Sequence, residues 1–132
     1  MDFITAFLNG DLNEEIYMEI PQGLTSSKTE AMVYKLLKSL YGLKQSPRQW
    51  YAKIHDYFGK GLEFKTSPND PCLYTNHTSC TMILIALYVD NLLIVGNSKQ
   101  GIHPLKDGLS KQYEMKDLRA AKTMLDIEII RN

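Results

Sequence analysis

Cysteine, long apolar runs and net charge are what this sequence has least of. Its two cysteines, Cys72 and Cys80, form no Cys-X-X-Cys pair and have no histidine set nearby, so neither a zinc site nor a disulfide framework is expected. Free or buried thiols in a reducing compartment follow instead. No apolar run approaches the roughly 20 residues that cross a bilayer. Asp2 stands where a secretory leader would need a basic residue, so no signal peptide and an intracellular location are expected. His55, His77 and His103 are scattered, and no repeat or low-complexity tract is present.

What is there suits a folded domain. The 132 residues are 44% hydrophobic and 23% charged, enough to bury one core, and nothing suggests a second. Acids and bases balance at 15 each, which conceals an asymmetry. Up to Glu30 the acids Asp2, Asp11, Glu14, Glu15, Glu19 and Glu30 face only Lys28. From Ala31 to Gly61, Lys35, Lys38, Lys44, Arg48, Lys53 and Lys60 face only Asp56. A solvated face explains such a run, and so does a phosphate backbone as partner.

The stretch Thr81 to Gly96, TMILIALYVDNLLIVG, holds two apolar segments of strand length parted by Asp90 and Asn91. It predicts a buried β-hairpin with the polar pair at the turn, because Asp and Asn tolerate tight-turn dihedrals. Taken alone, the pair is turn chemistry.

Near the start, Phe3 to Leu8 should leave a strand and enter a short helical turn before Asn9-Gly10. Glu15 to Ile20 alternates polar and apolar residues, the pattern of a half-buried strand. A surface loop is expected over Thr25 to Glu30, and a short strand around Met32 to Leu37. Ser46-Pro47-Arg48-Gln49 reads as a capping box that opens a helix. Trp50, Tyr51, Ile54, Tyr57 and Phe58 then share one face, up to Gly59 or Gly61. A helix over Lys99 to Tyr113 should turn Ile102, Leu105, Leu109 and Tyr113 inward. Gly101, Pro104 and Gly108 weaken it, and a start delayed to His103 would put Pro104 in the first turn. Thr123 to Ile130 alternates as a closing strand.

Five stretches in order carry a family resemblance. Tyr88-Val89-Asp90-Asn91 resembles the Tyr-X-Asp-Asp box of reverse transcriptases, with the wording of the copia-type retrotransposon branch. Met1 to Gly23 is similar to that family's first palm motif, and Tyr34 to Tyr51 (YKLLKSLYGLKQSPRQWY) to its template-gripping motif. Asn69 to Tyr74 and Ser110 to Leu118 follow family wording as well. The resemblance covers nearly the whole chain.

What it implies is an α+β fold: a reverse-transcriptase palm, its antiparallel sheet packed by helices on one face, lacking the start of the fingers and the thumb. Residues 1–132 would be a partial reverse transcriptase domain with its catalytic hairpin at 81–96. The implied activity is RNA-directed DNA polymerisation by two-metal nucleotidyl transfer, with Mg²⁺ (or Mn²⁺) as cofactor. Implied partners are an RNA or DNA template with primer and dNTP, and the rest of the pol polyprotein; no membrane is implied. The setting would be cytoplasmic or particle-associated.

By the same resemblance Asp2 and Asp90 are the catalytic metal ligands, and Asn91 is a degenerate position where the family has a second Asp. Phe7 would close under the sugar of the incoming nucleotide, though core packing explains it equally. Gly42, Lys44, Gln45 and Arg48 would meet template and nucleotide, beside Tyr88 and Val89 of the box. Lys44, Arg48 and Lys53 are the expected phosphate contacts. Arg119 and Asp126 stand where the family usually has glycines. Together with Asn91 these departures imply a polymerase segment impaired in this copy; a non-catalytic nucleic-acid-binding relic is the alternative.

Overall fold

The computed structural model describes residues 1–24 and 32–130. The expected loop over Thr25 to Glu30 lies outside them. The chain divides into two compact units, Met1–Ala6 with Ile54–Asn132, and Phe7–Lys53.

The first unit is built on a six-stranded antiparallel sheet of order β4-β5-β6-β7-β1-β8. Its members are β1 (Asp2–Phe3), β4 (Lys65–Thr66), β5 (Leu73–His77), β6 (Met82–Tyr88), β7 (Asn91–Gly96) and β8 (Met115–Lys116). β6 and β7 form the expected hairpin, because their Ile, Leu and Val side chains suit a pleated, half-buried surface. Pairing runs from Ile83↔Gly96 to Tyr88↔Asn91, and the period of two sends Ile85 and Leu87 into the core. Tyr74 registers on Ile85, so it shares that face and is fully buried.

Two helices cover the same face. α1 (Ser46–Asp56) begins in the second unit and runs on as a π-helical turn, Tyr57–Gly61, close to the expected end. Its Ile54 and Phe58 are fully buried, with the Phe58 ring 4.9 Å from Tyr74. α2 (Lys99–Gln112) buries Leu105 and Leu109, and Tyr113 beyond it meets Phe3 edge-on at 5.4 Å. Each such side chain removed from water contributes about 1.5–3 kcal/mol.

Three sequence expectations need correction here. The hairpin turn is Val89–Asp90, since the ladder closes on Tyr88↔Asn91; Asn91 is the first residue of β7 because it also pairs with Asp2. α2 spans Lys99–Gln112, close to the expected range, but does not take the delayed start at His103 and keeps Pro104 in its interior, where the cost of a proline is offset by the buried Leu105 and Leu109 and by Ile102 packed over Gly96. The closing strand is broken into a small hairpin, β9 (Thr123–Met124) and β10 (Ile127–Glu128). Leu125 and Asp126 both take left-handed φ, +51° and +61°, the signature of a two-residue hairpin corner.

The second unit holds the paired strands β2 (Tyr17–Glu19) and β3 (Val33–Lys35), near both expected positions. It also holds an isolated bridge Asp11↔Lys38 and the start of α1. The 3-10 turn Ala6–Asn9 follows β1 as expected. The expected capping box does not form. Gln49 N–H donates to the Gln45 carbonyl at 3.0 Å, while the fully buried Ser46 donates its hydroxyl to the Leu40 carbonyl at 2.5 Å. Ser46 thus ties the preceding loop to the helix start.

Candidate active site

Within the first unit, register gathers the carboxylates at one end of the sheet. Asp2 pairs with Asn91 on one side and with Lys116 on the other. Directly opposed residues of an antiparallel ladder project to the same face. Tyr88, Asn91, Asp2 and Lys116 therefore form one row across β6, β7, β1 and β8, on the face away from the helices. Asp90 sits at the corner beside this row, and its carbonyl accepts the Phe3 N–H at 2.8 Å. β1 and the hairpin corner are thus hydrogen-bonded neighbours, although Phe3 and Asp90 lie far apart in the sequence.

The corner is strained. Val89 has φ +54°, a value β-branched residues rarely adopt. Its side chain and that of Tyr88 are exposed, while Asp2, Asp90 and Asn91 are half-buried. The Asp2 carboxylate accepts no hydrogen bond among the described residues. Asp90 accepts one, from Asn91 Nδ2 at 3.1 Å. Asn91 therefore offers a donor where a second carboxylate would offer an acceptor.

The donor set bears on the implied ions. Hard divalent cations take oxygen ligands, preferably charged ones. Asp2 and Asp90 are ligands of this kind. Among the described residues no group of three or more His, Cys, Asp or Glu is placed to hold a metal, and Lys116 adds positive charge to the row. A two-ion site would need more carboxylate than Asp2 and Asp90 supply.

The remaining expected site residues lie in the second unit, around the start of α1. Gly42 has φ +95° in the Leu40–Leu43 turn, with open space where a Cβ would be; the backbone angle requires glycine there. Lys44 and Arg48 are exposed and Gln45 is half-buried. The basic run proves to be divided. Lys38 and Lys53 both bond to Asp11, and their hydrogen bonds hold its carboxyl below the usual range. Lys35 bonds to Glu15, and in the first unit Lys60 bonds to Asp56. Lys44 and Arg48 have no such partner among the described residues. Lys53, expected among the phosphate contacts, is thus paired with Asp11 at a partly exposed position.

Phe7 is half-buried, its ring 4.8 Å from that of Tyr41 and tilted by 43°. Tyr41, which was not among the expected site residues, is the ring that contacts Phe7. The signal was present, since it immediately precedes the glycine of the loop, but only the ring contact gives it a role.

The whole chain, residues 1–132, matches the family described as reverse transcriptase (RNA-dependent DNA polymerase), and it belongs to that family. Its relatives are Pol polyproteins of transposons. The chain is 50% identical over 132 residues to the retrovirus-related Pol polyprotein from transposon TNT 1-94 of Nicotiana tabacum, covering 99% of this chain and 10% of the relative. It is 35% identical over 128 residues to that from transposon RE1 of Arabidopsis thaliana, covering 97% and 9%. A putative transposon Ty5-1 protein of Saccharomyces cerevisiae is 36% identical over 129 residues, covering 98% and 42%. The chain therefore spans about a tenth of the length of the two plant polyproteins. No solved structure matches it significantly.

Proposed function

We propose that this chain is the palm segment of an RNA-directed DNA polymerase of a copia-type retrotransposon Pol polyprotein, with an impaired metal site. The observation that carries the reading is the pairing of Asp2 with Asn91 together with the Phe3 to Asp90 hydrogen bond. It brings the two motifs that hold carboxylates in this family to one end of one sheet.

In this reading Asp2 and Asp90 would hold Mg²⁺, which would supply positive charge for nucleotidyl transfer. Asp90 is aimed by the corner, and Asn91 Nδ2 restrains its carboxylate. Phe7 closes under the nucleotide sugar. Lys44 and Arg48, at the start of α1, receive phosphate of template or nucleotide. Partners are template with primer, dNTP and the rest of the polyprotein, in a cytoplasmic or particle-associated setting.

Asn91 is the defect. For each unit of metal charge at about 4 Å, a missing carboxylate forfeits roughly 4 kcal/mol at an effective dielectric near 20. Half of that is about thirtyfold in rate. Primer extension tests the reading, with residues 1–132 exchanged into the polymerase of the tobacco relative, in the Asn91 form and as Asn91→Asp. The Asp form should extend at least about tenfold faster. Equal extension would make Asn91 an adequate ligand and remove the claim of impairment. Undiminished extension after Asp2→Ala or Asp90→Ala would remove the proposed site.

A further inference from the structure

The charge asymmetry of the sequence closes on itself in the second unit. Acids of the first segment meet bases of the next: Asp11 accepts hydrogen bonds from both Lys38 and Lys53, the latter at 2.5 Å, and Glu15 accepts one from Lys35. Among the described residues of this unit, Lys44 and Arg48 are left exposed without such a partner.

The backbone fixes this arrangement. Asp11 and Lys38 face each other in an antiparallel bridge, and next to it the Ser39 N–H donates to the Gly10 carbonyl at 3.0 Å. The hydroxyl of the fully buried Ser39 is 3.3 Å from the same carbonyl. Gly10 in turn lies against α1, where a Cβ would come within 3.1 Å of the Gln49 side chain and of the Trp50 backbone. Lys53 stands about one helical turn beyond Gln49, so a single carboxylate beside Gly10 reaches both lysines.

The helix separates the paired cation from the free one. At about 100° per residue, Lys53 lies roughly 140° round α1 from Arg48. A phosphate backbone that follows Lys44 and Arg48 would leave that line to reach Lys53. Any phosphate arriving at Lys38 or Lys53 also meets the Asp11 carboxylate, which those hydrogen bonds keep ionised, and the attraction is largely cancelled.

We propose that Asp11 is a specificity-determining residue for nucleic-acid binding: by occupying Lys38 and Lys53 it confines phosphate contact to Lys44 and Arg48, and so sets the path of the strand over the start of α1. The inference rests on the reading of Lys44 and Arg48 as phosphate contacts. A repulsive group beside surplus cations disfavours every other path, which is how a surface discriminates rather than merely attracts.

The first measurement is on the unmodified 132-residue chain: trace acetylation of its lysines, read by mass spectrometry, with and without a single-stranded oligodeoxythymidylate. The oligonucleotide should protect Lys44 and leave Lys38 and Lys53 as reactive as before. Protection of Lys38 or Lys53 overturns the inference.

The second is the salt dependence of binding to the same oligonucleotide. Asp11→Asn should steepen the slope of log K against log salt by about 1.4, two phosphates on a single strand. Glu14→Gln removes the same charge at an exposed position three residues away and should change the slope by less. Added to Asp11→Asn, Lys53→Ala should flatten the slope by about 0.7, although the same substitution is silent in the parent. If Asp11→Asn acts no more strongly than Glu14→Gln, or Lys53→Ala acts equally in both chains, Asp11 has no such role while the reading of Lys44 and Arg48 stands. If replacing Lys44 and Arg48 together by Ala leaves the slope unchanged, that reading fails and this inference with it.

Discussion

Two hairpins of the first unit turn through corners of similar strain and differ in what surrounds them. β6–β7 turns at Val89–Asp90 with Val89 at φ +54°, and β9–β10 at Leu125–Asp126 with φ +51° and +61°. The first joins strands of seven and six residues and buries Ile85, Leu87 and Leu92. The second joins strands of two residues each and leaves Leu125 and Ile127 exposed. Left-handed backbone costs an L-residue about 1–2 kcal/mol. Of the two, the long hairpin has the buried ladder to offset that cost, and it is the one carrying Asp90. A strained corner held by an over-determined frame is how a site stores geometry.

The comparison breaks most visibly by removing what the frame buries. Ile85→Ala should destabilise the fold by about 2–5 kcal/mol, while Ile127→Ala, at an exposed position, should stay within about 0.5 kcal/mol. Urea unfolding of the two variants measures this directly. Comparable losses would mean that β9–β10 is packed as firmly as β6–β7.

The basic residues offer a second contrast, between cations with partners and cations without. Nucleic-acid binding should be weak, independent of sequence and steeply salt-dependent. Replacing Lys44 and Arg48 together by Ala should reduce the slope of log K against log salt by about 1.4–1.8, two phosphates' worth. Lys53→Ala should leave the slope unchanged, because Lys53 is occupied by Asp11. A slope indifferent to Lys44 and Arg48 would make the whole run a solvated face.

Smaller effects sharpen the corner argument. Arg119 also has positive φ, +63°, so both positions where this chain departs from the family's glycines adopt backbone that favours glycine. Arg119→Gly and Asp126→Gly should each raise the thermal midpoint, by a stability gain of about 1 kcal/mol. The smallest effect concerns Asp11, whose carboxyl is depressed by hydrogen bonds from Lys38 and Lys53. A depressed carboxylate contributes stability above its unfolded value and loses it as pH falls through its folded one. Its contribution is screened by exposure to a few tenths of a kcal/mol. The gap in thermal midpoint between the parent and Asp11→Asn should therefore be present at pH 6 and close below about pH 4.

How far these features were legible depends on the range over which each is encoded. The hairpin strands, the strand at Tyr17 and the apolar face of α1 follow from local period, because side-chain alternation and the helical repeat are properties of neighbouring residues. The turn was displaced by one residue, since both Asp90 and Asn91 have turn chemistry and only pairing with β1 assigns Asn91 to the ladder. Ser46 has the sequence of a cap and spends its hydroxyl on Leu40, a choice made by burial. The alternation of Thr123 to Ile130 found no core to bury against.

By itself the sequence determined the family and the order of the motifs, because these reside in residue type and spacing. It also determined that the second hairpin carboxylate is absent. The tertiary structure decided that Asp2 lies between Asn91 and Lys116, that Lys53 serves Asp11, and that Tyr41 leans on Phe7. Each of these joins residues far apart in the chain, and such contacts depend on strand register and burial, which no local pattern encodes.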